Sequence, residues 1–124
     1  MYDISNEKVM GLFLRLSGIS PDKRNEYSDI VDNACDYIKR RLADVIVLAD
    51  LDRIRFAAAA VAMYDNTVIK LTNDKTLCTY DGKSVVNYKD TDSYKYAYLL
   101  RKNALAAIAD ICKNDCFVFT SAKG

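Results

Sequence analysis

Apolar residues recur at helical spacing in four stretches of the chain. Over 5–17, Val9, Leu12, Phe13 and Leu16 form one stripe, with Met10 and Leu14 beside it. That stripe is wide enough for burial on more than one side. Ser5 stands where an N-cap is needed, and Gly18 stands where the helix must stop. The second pattern opens on Ser20 and Pro21, a cap followed by a proline at the first helical position, and Asp22 adds a favourable charge there. Tyr27, Ile30, Val31, Ala34, Ile38 and Leu42 then recur on one side, with Asp29, Asp32, Asp36, Lys39 and Arg40 on the other. A third pattern runs from about Asp50 to Lys70. Leu51, Ile54, Ala58, Val61, Ala62, Asp65 and Ile69 fall near one face, and only Asp65 breaks it. At its centre is RFAAAAVAMY, 55–64, with four consecutive alanines. The fourth pattern starts near Thr91–Ser93 and ends near Asn114, with Ala97, Leu100, Ala104, Leu105, Ile108, Ile111 and Cys112 as its stripe.

Three connecting stretches carry a different signal. ADVIVLA at 43–49 is β-branched and fits either an extended segment or the lead-in to a helix. Between helices three and four, Asp81-Gly82 separates TLCTY from KSVVNY, both rich in β formers. Asp-Gly supplies the positive φ that a tight hairpin turn needs, so this region predicts a hairpin, or one strand followed by a loop. The tail CFVFTSAKG is short, apolar and aromatic, then polar. The predicted fold is therefore mainly α in a single domain, 1–124. It is a bundle of about four helices around a central Ala-rich helix, with a β-hairpin or loop near 76–90 and a short extended C-terminal tail. Alanine is the best helix former, and its small side chain lets a neighbouring helix come close. The central stretch thus reads as packing spine. It does not read as a membrane span, because the apolar run Phe56–Tyr64 is far short of the ~20 residues required.

Composition narrows the chemistry. Histidine is absent from the 124 residues, which removes the commonest general base, the commonest metal ligand and every Ser-His or Cys-His pair. No nucleophile elbow, phosphate loop or glycine fingerprint is present. The expectation is a protein without catalytic residues or cofactors. Net charge is +1, from 18 basic and 17 acidic residues, which gives no broad footprint for nucleic acid or anionic membrane. The cysteines, Cys35, Cys78, Cys112 and Cys116, lack CxxC spacing. No basic region followed by an apolar core opens the chain, so reduced thiols are expected. Cys112 and Cys116 have the spacing of half a metal site on one helix face, with no second ligand pair to complete it; small buried apolar residues are the simpler reading.

Tyrosine is the abundant special residue, with nine copies. Tyr80, Tyr88, Tyr94, Tyr96 and Tyr98 are concentrated in one region. Tyrosine combines an apolar body with a polar tip and is enriched at protein interfaces. Beside Lys89 and Lys95 the same side chains offer stacking platforms for single-stranded nucleic acid. KRR at 39–41 admits a phosphate patch or, more simply, a solvated helix end. Phe117 and Phe119 in the tail either cover their own core or add to a neighbour's sheet edge. The candidate interface residues are Tyr80, Val86, Tyr88, Tyr94, Tyr98, Phe117 and Phe119.

The order of these elements resembles a known family. LFLRLSGIS at 12–20, the capped helix ending in YIKRRL at 37–42 and RIRFAAAAVAMY at 53–64 look like the small head–tail connector (adaptor) proteins of tailed phages and prophages. The Asp-Gly segment followed by LLRKNALAAIADICKNDCFVF at 99–119 is similar to a subgroup from prophages of Gram-positive bacteria. The resemblance spans nearly the whole chain and is one of pattern. It implies a mainly helical subunit that forms a ring beneath the portal, continues the DNA channel and docks the next neck or tail component. It implies no catalytic residues, no membrane partner, and a place in the host cytoplasm and then the virion neck. The hairpin region and the tail 116–122 would be the segments that reorder on assembly. A small nucleic-acid-binding module is the alternative from composition, and a small enzyme the last.

Overall fold

A computed structural model describes residues 4–43, 46–73 and 88–113 of the chain. Its main elements are α1 (Asn6–Ser17), α2 (Ser28–Arg41), α3 (Leu51–Asn73) and α4 (Asp92–Ala107), joined by short 3-10 turns. The helix α3 is the axis: α1, α2 and α4 all pack on it, and α1 also packs on α2. With 23 residues it is about 35 Å long, so it outreaches each neighbour. The mainly helical bundle around an Ala-rich helix is as the sequence predicts.

The helix ends explain the lengths. Ser5 caps α1 through its side chain, which accepts from the Lys8 amide. At the other end Gly18 sits at φ 68°, where a Cβ would be strained. Its N–H donates to the Arg15 carbonyl and that of Ile19 to the Leu14 carbonyl, the paired bonds of a Schellman stop. Thr91 caps α4 by accepting from the Tyr94 amide.

Two predicted boundaries move. The helix expected to begin at Pro21 starts instead as a 3-10 segment, Pro21–Tyr27, and becomes α-helical only at Ser28. Ser20 does not cap it; its hydroxyl donates to the Asp22 carboxylate, which holds that carboxyl below the usual range. Nothing in Pro21–Tyr27 is buried, so no apolar stripe winds that segment into an α-helix. The fourth helix, expected to reach Asn114, stops at Ala107. Ile108 turns, Ala109–Ile111 form a 3-10 turn, and Cys112 is extended. Leu42 and Cys112 pair there in an isolated antiparallel bridge. Ala43 N–H donates to the Ile111 carbonyl (2.9 Å) and Lys113 N–H to that of Arg41 (2.8 Å). The β-branched stretch at 43–49 thus contributes an edge of this bridge and then a 3-10 turn, Leu48–Asp50. The hairpin expected near 76–90 lies outside the described residues except for its last three. Tyr88–Asp90 form a 3-10 turn leading into α4, so Tyr88 is not in a strand.

The core gathers Ile4, Val9, Phe13, Val31, Cys35, Ile38, Ile54 and Ile108 around Ala57–Ala60, all four alanines fully buried. The stripe expected to continue to Ile69 ends near Asn66, because Ile69 is exposed. No described helix is long and apolar enough to cross a membrane. Tight packing at the alanines sets a test. Ala58→Leu should cost about 1–3 kcal/mol in a urea melt by overpacking, whereas Ala106→Leu, on the exposed side of α4, should stay within about 0.5 kcal/mol. Equal effects at both sites would show that the alanine face is not a close contact.

Candidate functional site

Aromatic and cationic side chains from three helices meet along one flank of the bundle. Tyr37 comes from α2, Tyr64 from α3, and Tyr94, Tyr98 and Arg101 from α4. On α4 these positions recur at three- and four-residue steps, which places them on one side. The Tyr64 and Tyr94 hydroxyls are 3.2 Å apart, and their rings lie 5.7 Å apart at a tilt. Tyr94 stacks on Tyr98, with centroids 6.1 Å apart and planes 18° apart. Arg101 donates to the Tyr37 hydroxyl at 3.0 Å, and its guanidinium lies over both the Tyr37 and the Tyr64 rings at 5.4 and 5.2 Å. The Arg41 guanidinium stands 3.5 Å from the Tyr37 centroid and donates to that residue's own carbonyl. Planar guanidinium on aromatic faces is worth about 0.5–2 kcal/mol per contact, depending on desolvation. The seam therefore fastens α2 and α4 across α3.

Asp65 lies next to this seam on α3 and is half-buried. Burial pushes its carboxyl above the ordinary value of 3.8, and the positive charge of Arg101 pulls partly against that shift. It is the residue that broke the predicted apolar stripe.

Outside the seam, α4 presents an open outer face. Tyr98 is 44% exposed, Leu99 52% and Tyr96 57%, with Lys95 and Lys102 exposed among them. From Ser93 to Ala109 the chain carries three cations and no acid. The helix α2 presents the converse: Asp29, Asp32 and Asp36 are all exposed, and Asp32 accepts a 2.8 Å bond from Asn6. A third cluster ties ends together. Arg53 donates to the Ala107 carbonyl at the end of α4 (2.6 Å) and pairs with Asp50 and Asp110, which raise its pKa. Arg55 donates to the Ile4 carbonyl at 2.7 Å.

Of the residues singled out from sequence, Tyr94 and Tyr98 are brought together. Tyr94 is half-buried and committed to the seam, while Tyr98 is half-exposed at its rim. Tyr80, Val86, Phe117 and Phe119 lie outside the described residues, and of Tyr88 only the backbone turn is described. Sequence reasoning missed Tyr37, Tyr64 and Arg101, whose distance along the chain hides their meeting. It also passed over Leu99, which falls outside the core stripe of α4 and was the available signal. Cys35 and Cys112 are buried, and Cys116 lies outside the described residues. Among the described residues no group of three or more His, Cys, Asp or Glu is placed to hold a metal. No protein-family model, curated protein or solved structure matches the chain.

The half-buried carboxylate makes a pH-dependent prediction. The folded domain holds the Asp65 proton more tightly than the unfolded chain, so ionised Asp65 costs stability at neutral pH. Asp65→Asn should raise the Tm near neutral pH. The gain should fade as pH falls through the raised folded value and vanish below 3.8. Thermal melts across that range check it, and a gain independent of pH would show that titration of this carboxyl is not the cause.

Proposed function

We propose that the chain is a structural adaptor subunit of a phage or prophage neck, which forms a ring under the portal and docks the next tail component. The observation that supports this most is the outer face of α4, where large apolar and aromatic side chains stand exposed on a rigid helix among lysines. Interface cores favour tyrosine and apolar side chains, and charge complementarity sets orientation. A complementary surface exists on the same chain. Lys95 and Lys102 on α4 are seven residues apart, as are Asp29 and Asp36 on α2, so both pairs span about 10 Å of helix. The α4 face of one copy against the α2 face of the next is a heterologous contact, the kind that closes into rings. The bridge at Leu42–Cys112 anchors the point where the aromatic tail leaves the described domain. That tail, with Phe117 and Phe119, is the second proposed contact, on the neighbour or the next neck component.

Two measurements test the reading. Deleting 117–124 should impair assembly on portal-bearing particles while the helical core melts as before; unchanged assembly counts against it. Lys95→Glu with Lys102→Glu should abolish self-association on those particles, and mixing with copies carrying Asp29→Lys and Asp36→Lys should restore it. The tyrosines and lysines of α4 also favour a second reading, the binding of single-stranded nucleic acid. Fluorescence anisotropy decides it: affinity should fall steeply with salt, and no binding at low salt removes this reading.

A further inference from the structure

The last turn of α1, the C-terminal half of α3 and the first turn of α4 line an open pocket of about 250 Å³. Leu16, Met63 and Leu71 give it an apolar lining. One polar side chain in its wall is orphaned, and a second is largely buried. The Ser17 hydroxyl is buried without a hydrogen-bond partner. Asn66 is 6% exposed. Leaving a buried polar group unpaired costs about 1–3 kcal/mol, so such groups ordinarily have partners. Asn66 was the one buried polar residue to interrupt an otherwise apolar helix face.

The charge in the wall selects the partner's chemistry. Lys70, one turn beyond Asn66 on the same side of α3, is the only charged residue among the described ones that line the cavity. Ser93 brings the amino-terminal turn of α4 to the same opening, where negative charge is favoured. The opposing end of α1 is quenched, because the Leu14 and Arg15 carbonyls already accept from Ile19 and Gly18. The wall thus offers a ligand donors from Ser17, Asn66 and Lys70 together with apolar carbon from Leu16, Met63 and Leu71.

We propose that this cavity binds a small carboxylate with a branched apolar body, either as a free acid or as the last residue of a polypeptide. The volume holds roughly eight non-hydrogen atoms, at about 30 Å³ for each water-sized group. The carboxylate accepts from the Asn66 amide and the Ser17 hydroxyl near Lys70, and the body rests on Leu16, Met63 and Leu71. The site shares Tyr96 with the α4 face but not Tyr98, Leu99 or Lys102, so a ligand titration and the charge-swap assembly test fail separately.

The test is an NMR titration of the whole chain with isocaproate, N-acetyl-leucine and N-acetyl-leucinamide, read at the Asn66 side-chain amide and the Ser17 backbone. Saturable shifts with the two acids, and at least tenfold weaker binding of the leucinamide, are expected. Binding of isocaproate alone identifies a free acid; tighter binding of N-acetyl-leucine identifies a chain terminus. Lys70→Gln, an exposed change that leaves the fold intact, should weaken the acids roughly threefold at low salt. Asn66→Leu, with its fold checked by the Tm, should abolish the shifts at Ser17. No saturable shift with either acid, or equal binding of the amide, overturns the proposal.

Discussion

The close approach of three helices to the alanine run of α3 is the constraint from which the rest of the structure follows. Alanine side chains at 57–60 leave little bulk on the axis itself, so the volume of the core is supplied by the neighbours. Phe13 from α1, Ile38 from α2 and Ile108 after α4 fill the space between helices and are fully buried. A core built in this way tolerates little change at the centre and more at its edge, because interiors are packed to crystal-like density. It also frees long side chains at the periphery for other work. Tyr37, Tyr64, Tyr94 and Arg101 sit at the rim, where their apolar bodies pack and their polar ends find one another.

The arginines show how the ends of the described helices are tied together. Arg53 reaches the carbonyl of Ala107, the last residue of α4, where cations oppose the negative end of a helix, and Arg55 holds the backbone at Ile4. Arg101 and Arg41 lie on tyrosine faces. Each works by geometry that lysine lacks, a planar fork with several donors. Lysines are found instead on the outer face of α4, where a mobile, strongly hydrated charge suits a solvent-facing or partner-facing surface. The division between the two cations follows the division between scaffold and proposed contact.

Much of the fold was legible in the sequence because periodicity and caps are local. Ser5, Gly18 and Thr91 do at the helix ends what their chemistry predicts, and the alanine run reports its own burial. The misplaced boundaries arose where local signals agreed with helix but burial did not. Pro21 and Asp22 open a good first turn, yet the segment meets the core only at its end, where Tyr27 packs on Phe13. Ile108, Ile111 and Cys112 continue a helical stripe, yet the chain turns so that Cys112 meets Leu42. The candidate site was legible only in part. Exposed Tyr98 was readable from composition, but the meeting of Tyr37, Tyr64 and Arg101 depends on how α2 and α4 sit on α3. No spacing within one segment carries that information. The orphaned Ser17 hydroxyl was invisible for the same reason, since a serine at a helix end reveals its lack of a partner only once its surroundings are known.

The bridge between Leu42 and Cys112 has a consequence for how the chain reaches this state. Contacts within α1, within α2 and between consecutive helices close short loops and carry little entropic penalty. The bridge joins the end of the second helix to a point beyond the fourth, so it closes a loop of about 70 residues and carries a larger entropic cost. Two backbone hydrogen bonds hold it, few beside the buried core. The last described residues, Cys112 and Lys113, are therefore held by long-range backbone bonds and not by a helix of their own.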